Sequence, residues 1–168
     1  MSWTPSCAER PARIYAEEAL RGSPWLAEAQ DRLPGLEPRF VAGRQDIPPE
    51  HLEPSTLYLC RPRGSQLAPC PGTSGHLCCG YWTLDLYVGC RLACAYCILR
   101  SYLNFAPVTV YLDPRPAMTA LGRLARANPG RLVRVGTGEL GDSLELDPLF
   151  RLSEHLIRAA AAHCNKAR

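Results

Sequence analysis

The chain has 168 residues, 46% hydrophobic and 21% charged, and its 19 basic against 16 acidic side chains give a formal charge of +3. No apolar run is long enough to span a bilayer, and Met1 to Arg10 lacks the basic end and apolar block of a secretory signal, so a cytoplasmic protein is expected, with no membrane partner. Nine cysteines, odd in number and clustered, fit metal ligation in a reducing compartment better than a disulfide framework, and the scattered arginines, with Lys166 the only lysine, form no patch that would name a partner.

Ala12 to Arg21 and Pro24 to Leu33 carry helical patterns, with Ile14, Tyr15 and Ala19, then Trp25, Leu26, Ala29 and Leu33, on apolar faces. Arg39 to Ala42 and Leu57 to Cys60 read as short strands on either side of a Pro-rich loop. A Gly/Pro/Cys-rich segment, Pro69 to Gly80, marks an expected boundary between a mixed α/β module over 1–80 and a second unit over 81–168.

In that second unit, Thr83 to Val88 reads as a strand and Ala93 to Asn104 as the following helix, with Tyr96, Leu99 and Leu103 on one face. Val108 to Leu112 is strand-like, and Pro116 opens a helix carrying Met118, Leu121, Leu124 and Ala125. Leu132 to Val135 reads as a strand breaking into Gly136-Thr137-Gly138-Glu139, and Asp147-Pro148 starts a last helix with Leu149, Leu152 and Leu156 buried. Strands alternating with helices argue a parallel α/β sheet with right-handed crossovers.

The most informative motif joins the strand to its helix: Cys90, Cys94 and Cys97, spaced CxxxCxxC with Tyr96 just before the last. A closed structural zinc site takes four protein ligands, whereas a 4Fe-4S cluster held by three thiolates keeps one iron open to a small molecule. Zinc with a fourth ligand from Cys79 or His76 is the competing reading, and would make the chain a non-enzymatic binding module. Cys70, Cys78 and Cys79 are expected to be buried structural residues, since adjacent cysteines point apart and seldom share a metal.

The run Gly89 to Cys97 resembles the cluster-binding motif of radical S-adenosylmethionine (SAM) enzymes. Its surroundings resemble the spore photoproduct lyase family: Ile98 to Asn104, Pro69-Cys70-Pro71-Gly72-Thr73, Cys78-Cys79-Gly80-Tyr81, Gly136 to Glu139 with Asp142 and Ser143, and Ile14 to Glu18 near the start. The resemblance implies an α/β fold, a radical SAM partial (β/α) barrel preceded by the mixed module, and a lyase that repairs a thymine dimer photoproduct in DNA. It implies Cys90, Cys94 and Cys97 as ligands of a 4Fe-4S cluster, whose open iron would chelate SAM and whose electron would cleave it to methionine and a 5'-deoxyadenosyl radical. Tyr96 would lie near the adenine, and Gly136, Thr137, Gly138 and Glu139 would form a turn in which small residues admit the cofactor and Glu139 accepts from its ammonium group. The implied partners are DNA with damaged thymine pairs and an electron donor such as a flavodoxin or ferredoxin.

Two departures qualify the substrate. The family uses a cysteine after the cluster helix as hydrogen donor, whereas the corresponding segment here, Val135 to Asp142, has none. Either another residue donates or a radical SAM enzyme of this scaffold acts on another substrate. A complete core of this type would need roughly 200 residues, by analogy with full α/β barrels. The stretch from Thr83 to Arg168 holds only two or three strand-helix units, so an incomplete barrel, an N-terminal fragment, is expected.

Overall fold

Ile14, Tyr15, Ala16 and Glu17 are all buried, and a segment covered on both faces has no period to separate strand from helix. The computed structural model, which describes residues 10–72, 75 and 80–164, makes this stretch β1 (Arg13–Glu17) with one 3-10 turn at Glu18–Leu20, in place of the expected helix over 12–21. Helix α1 (Pro24–Asp31) starts with proline at its first position, buries Leu26 and Ala29, and carries the chain across to β2 (Arg39–Val41). Strand β3 (Thr56–Cys60) follows, every residue buried.

Next come β4 (Leu67–Pro69), β5 (Trp82–Leu84) and β6 (Tyr87–Val88), then α2 (Leu99–Tyr102), β7 (Val108–Tyr111) and α3 (Arg115–Ala127). The chain closes its described part with β8 (Val135–Gly136), α4 (Asp147–Phe150) and α5 (Leu152–Cys164). Two sheets result. The first has the order β2-β1-β3-β7-β6, parallel except for the antiparallel β6 at its edge; the second has the order β4-β5-β8, with β5 and β8 parallel.

This topology alters the expected division at position 80. β4 leaves the first 80 residues to pair with β5, while β6 and β7 return to the first sheet, so strands cross that boundary in both directions. The expected single strand Thr83 to Val88 is broken at Asp85-Leu86, where the chain passes from one sheet to the other. Val108 to Tyr111 is likewise an added strand of the first sheet. One apolar core joins the units, with Leu57, Leu59, Val108 and Val110 of the first sheet, Leu84 of the second, and Leu146 and Leu152 beside and in the last helices in one cluster.

The expected last helix is split. Arg151 sits in the left-handed region (φ 51°), and the Asp147 carboxylate reaches across the break to accept hydrogen bonds from the Ser153 backbone N–H at 2.9 Å and from its hydroxyl. The aspartate thus caps α5 from the preceding short helix, six residues upstream. Among the described residues no helix is long and apolar enough to cross a membrane.

Candidate cofactor site

The site begins with two neighbouring parallel strands. Trp82 and Thr83 of β5 stand in register with Val135 and Gly136 of β8, so loops leaving the same end of both strands emerge side by side. β5, through β6, leads to the cysteine loop; β8 leads directly to Gly136-Thr137-Gly138-Glu139. Main-chain and side-chain ties then join the loops. Gly89 N–H donates to Leu140 O at 2.8 Å, and the Cys90 sulfur accepts from the backbone N–H groups of Leu92 (3.4 Å) and Asp142.

The strongest tie is ionic. Glu145 accepts from Arg91 Nε at 2.6 Å and from the Arg91 backbone N–H at 3.2 Å, with the two side chains only 5% and 11% exposed. A carboxylate that binds both the guanidinium and the main chain of one residue fixes where the cysteine loop starts. Gly141 is needed at the crossing: a Cβ there would lie 2.6 Å from Gly89 O, inside any allowed contact. Asp142 folds the next turn by accepting from the N–H groups of Leu144 and Glu145 at 2.9 and 2.8 Å.

Gly136 faces a still closer neighbour. A Cβ at this position would fall 1.4 Å from the Tyr81 hydroxyl, so only glycine allows the tyrosine to lie across the strand. Gly138 has φ 139°, a conformation L side chains rarely adopt. Thr137 Oγ1 donates to Ser143 Oγ at 2.8 Å, and Ser143 Oγ donates back to Thr137 O, closing the turn. The result is an open cleft of about 440 Å3 lined by Cys70, Tyr81, Thr83, Thr137 to Glu139 and Gly141 to Ser143.

Cys90, Cys94 and Cys97 are half-buried free thiols in one loop, bent at Ala93 by a left-handed residue (φ 51°). Burial pushes the Cys90 thiol up, while the Leu92 N–H donating to its sulfur opposes this. Among the described residues no three histidine, cysteine, aspartate or glutamate side chains converge on one point, so the three sulfurs share a loop without forming a closed ligand set. The donor set still suits an iron-sulfur cluster, with three unpaired thiols in eight residues on a loop anchored at its first cysteine.

Two expectations change here. The helix expected over Ala93 to Asn104 forms only at Leu99–Tyr102, and Tyr96, 91% exposed, lies on a solvent-facing loop instead of a helix face. The reason is local: the chain from Cys90 to Cys97 runs as turns, including Cys97 N–H to Cys94 O, and Ile98 and Tyr102 also face solvent, so no apolar face exists for a longer helix to bury. Cys70, expected to be buried, is half-buried and lines the cleft; Cys78, Cys79 and His76 lie outside the described residues. The residues that sequence reading missed are Arg91, Glu145 and Tyr81, whose partners are 54 or 55 positions away.

These features define a class by fold: a mixed α/β chain of two mostly parallel sheets, in which neighbouring strands β5 and β8 lead toward the cysteine loop and the glycine-rich turn. No family model and no curated protein sequence matches the chain. The solved structures it resembles are of spore photoproduct lyase. One is complexed with dinucleoside spore photoproduct (TM-score 0.73, 18% identity), and a variant has bound AdoMet and dinucleoside spore photoproduct (TM-score 0.72, 17% identity). Each likeness covers 89% of this chain and 46% of the solved one, so the chain spans about half the length of the structures it matches.

Proposed function

We propose that the cleft at the glycine-rich turn, together with the adjoining cysteine loop, is the cofactor site of a radical SAM enzyme, with Cys90, Cys94 and Cys97 holding a 4Fe-4S cluster and Gly136 to Glu139 receiving SAM. The observation that carries this reading is the juxtaposition of β5 and β8. It sets a three-thiolate loop against a glycine-rich turn ending in a carboxylate, with Gly89 bonded to Leu140 between them. When bound, the cluster would supply the electron that cleaves the sulfonium bond of SAM. The chain's own residues would do the positioning. Gly136 makes room for Tyr81 and Gly138 for the Gly141 to Ser143 backbone behind the turn, exposed Glu139 accepts from an ammonium group, and the Arg91–Glu145 pair holds the cysteine loop to the turn. Tyr96, on the exposed face of that loop, would close over the adenine.

The substrate class supported by the resembling structures is a pyrimidine photoproduct in DNA, and the electron would come from a flavodoxin or ferredoxin type of donor. A second reading, a different substrate on the same scaffold, is favoured by one observation. No cysteine stands between Val135 and Asp142, and Tyr81 fills the space that a side chain at 136 would need. Among the described residues, the thiol that lines the cleft is Cys70.

The test is anaerobic reconstitution of the 168-residue chain with iron and sulfide. The expected product is brown, with an absorption and paramagnetic resonance spectrum that changes on adding SAM, and the Cys94→Ala variant is expected to lose the cluster. A Cys94→Ala protein that reconstitutes as fully as the parent, or a parent that takes zinc alone, would refute the assignment.

A further inference from the structure

The first sheet reverses its direction of growth at β1. The chain leaves β1 through α1, whose Leu26 and Ala29 join the main apolar core, and reaches β2 on one side. It returns over the opposite face, where Ile47 packs with Tyr15 and Tyr58, and enters β3 on the other side of β1. The loops at the carboxyl ends of β1 and β3 therefore diverge, and in open parallel sheets ligands bind in the crevice left at such a point. A cavity of about 430 Å3 occupies this crevice, lined by Glu17, the last residue of β1, by Cys60, the last of β3, and by Arg61 to Gly64 beyond it. It shares no wall residue with the cofactor cleft.

Exposed arginines line the crevice, at positions 44, 61 and 63. Of the two acids on its wall, Glu17 is buried and already engaged, accepting from the Tyr58 hydroxyl at 2.6 Å, from Arg63 at 2.7 Å and from the Arg61 backbone N–H at 3.2 Å. Burial, followed by the charge of Glu139, pushes the Asp85 carboxyl up and so favours its neutral form. The Arg63–Glu17 bond ties the arginine-bearing loop to the end of β1 while leaving the Arg63 side chain 76% exposed. Among the described residues the Arg44 and Arg61 guanidinium groups make no hydrogen bond or ion pair. Asp113, the acid that the Arg61 charge reaches, is held by Arg115 at 2.8 Å. Aromatic side chains supply the remaining wall. Register sets Cys60 beside Tyr111, Phe105 stands edge to face with Tyr58 at 6.0 Å between centroids, and the Arg44 guanidinium lies 5.7 Å from the Phe105 centroid.

We infer that the crevice between the carboxyl ends of β1 and β3 binds a phosphate ester carrying a flat ring, its phosphate at Arg44 and Arg61 and its ring against the half-buried Phe105 and Tyr111. Two guanidinium forks without a counter-ion offer paired, charge-assisted donors to phosphate oxygens. An aromatic wall stacks a ring without reading its edge, since every base has a π face, so a nucleotide fits with little choice of base. The cavity size lies in the range of small-ligand sites. The inference is independent of the cofactor reading, because no cluster ligand contributes and no residue from Gly136 to Glu139 lines the crevice.

Titration calorimetry on the 168-residue chain with CMP, cytidine and ribose 5-phosphate tests it. Saturable one-to-one binding of CMP is expected. Cytidine, which lacks the phosphate, should bind at least about tenfold more weakly, and ribose 5-phosphate, which lacks the ring, at least about fivefold more weakly. The double variant Arg44→Gln/Arg61→Gln should weaken CMP by about tenfold or more with an unchanged melting temperature, since both side chains are exposed and unpaired. Displacement of CMP by a single-stranded oligonucleotide without terminal phosphates would name a strand as the source of the ester, and its failure a free nucleotide. No binding at millimolar CMP, cytidine or ribose 5-phosphate binding as tightly as CMP, or full binding by the double arginine variant would overturn the inference.

Discussion

Replacing Gly136 by alanine isolates one contact in the cofactor cleft. Gly136 lies outside the left-handed region, so the backbone accepts alanine without strain, and any cost comes from the space its Cβ must enter. That space holds Tyr81, with Oη 1.4 Å, Cζ 2.4 Å and Cε2 3.0 Å from the Cβ position. An ordinary non-bonded contact is about 3.5 Å, so the tyrosine tip must shift by roughly 2 Å. Forcing such a shift costs about 1–3 kcal/mol. Urea unfolding followed by tryptophan fluorescence measures it, Trp82 being in register with the neighbouring Val135. In a Tyr81→Ala background the same substitution should be neutral, for a coupling of at least about 1 kcal/mol. An equal cost in both backgrounds would refute the reasoning, because the tyrosine would then play no part in requiring glycine.

Two further outcomes follow from buried charge. Glu145→Ala removes two charge-assisted hydrogen bonds to Arg91, at about 1.5–3 kcal/mol each before relaxation, so the variant should lose about 2–4 kcal/mol and retain less iron after reconstitution and desalting; iron retention equal to the parent would show that the loop is held by other means. Burial, with Glu17 adding to it, pushes the Cys60 thiol up to about 12 from an ordinary value of 9.0. The unfolded chain therefore gives up this proton first, and the stabilisation present below about pH 9 declines as pH rises toward 12. Near pH 10 the parent should have lost about 1–2 kcal/mol more than Cys60→Ala, measured as urea midpoints against pH; parallel curves would contradict the buried-thiol assignment.

Legibility depended on where each signal resides. α1 and α3 were readable because proline stands in the first turn of each and an apolar face repeats at helical spacing, with Leu26 and Ala29, then Leu124, buried and Met118, Leu121 and Ala125 half-buried beside it. β1 was not, because burial on both faces erased its period. The expected helix after Cys97 failed for the opposite reason: Tyr96, Ile98 and Tyr102 look apolar in the sequence but face solvent, and hydrophobicity does not say which side has a neighbour. In the candidate site, the cysteine triplet and the Gly136 to Glu139 turn were visible as compact motifs. Arg91 with Glu145, and Tyr81 with Gly136, were invisible, because a lone charge or aromatic carries no mark of a partner more than 50 positions away.

The sequence by itself determined the chemical repertoire: three thiols at CxxxCxxC spacing, glycines followed by a carboxylate, and alternating strands and helices of an α/β fold. Such features are local, and short-range spacing is enough to express them. Only the tertiary structure decided that β5 and β8 run side by side, that Glu145 fastens the cysteine loop to the turn, and that Cys70 opens onto the cleft. Parallel pairing and cavity walls join residues far apart in the chain, and no periodicity in a single sequence encodes which distant strand will be the neighbour.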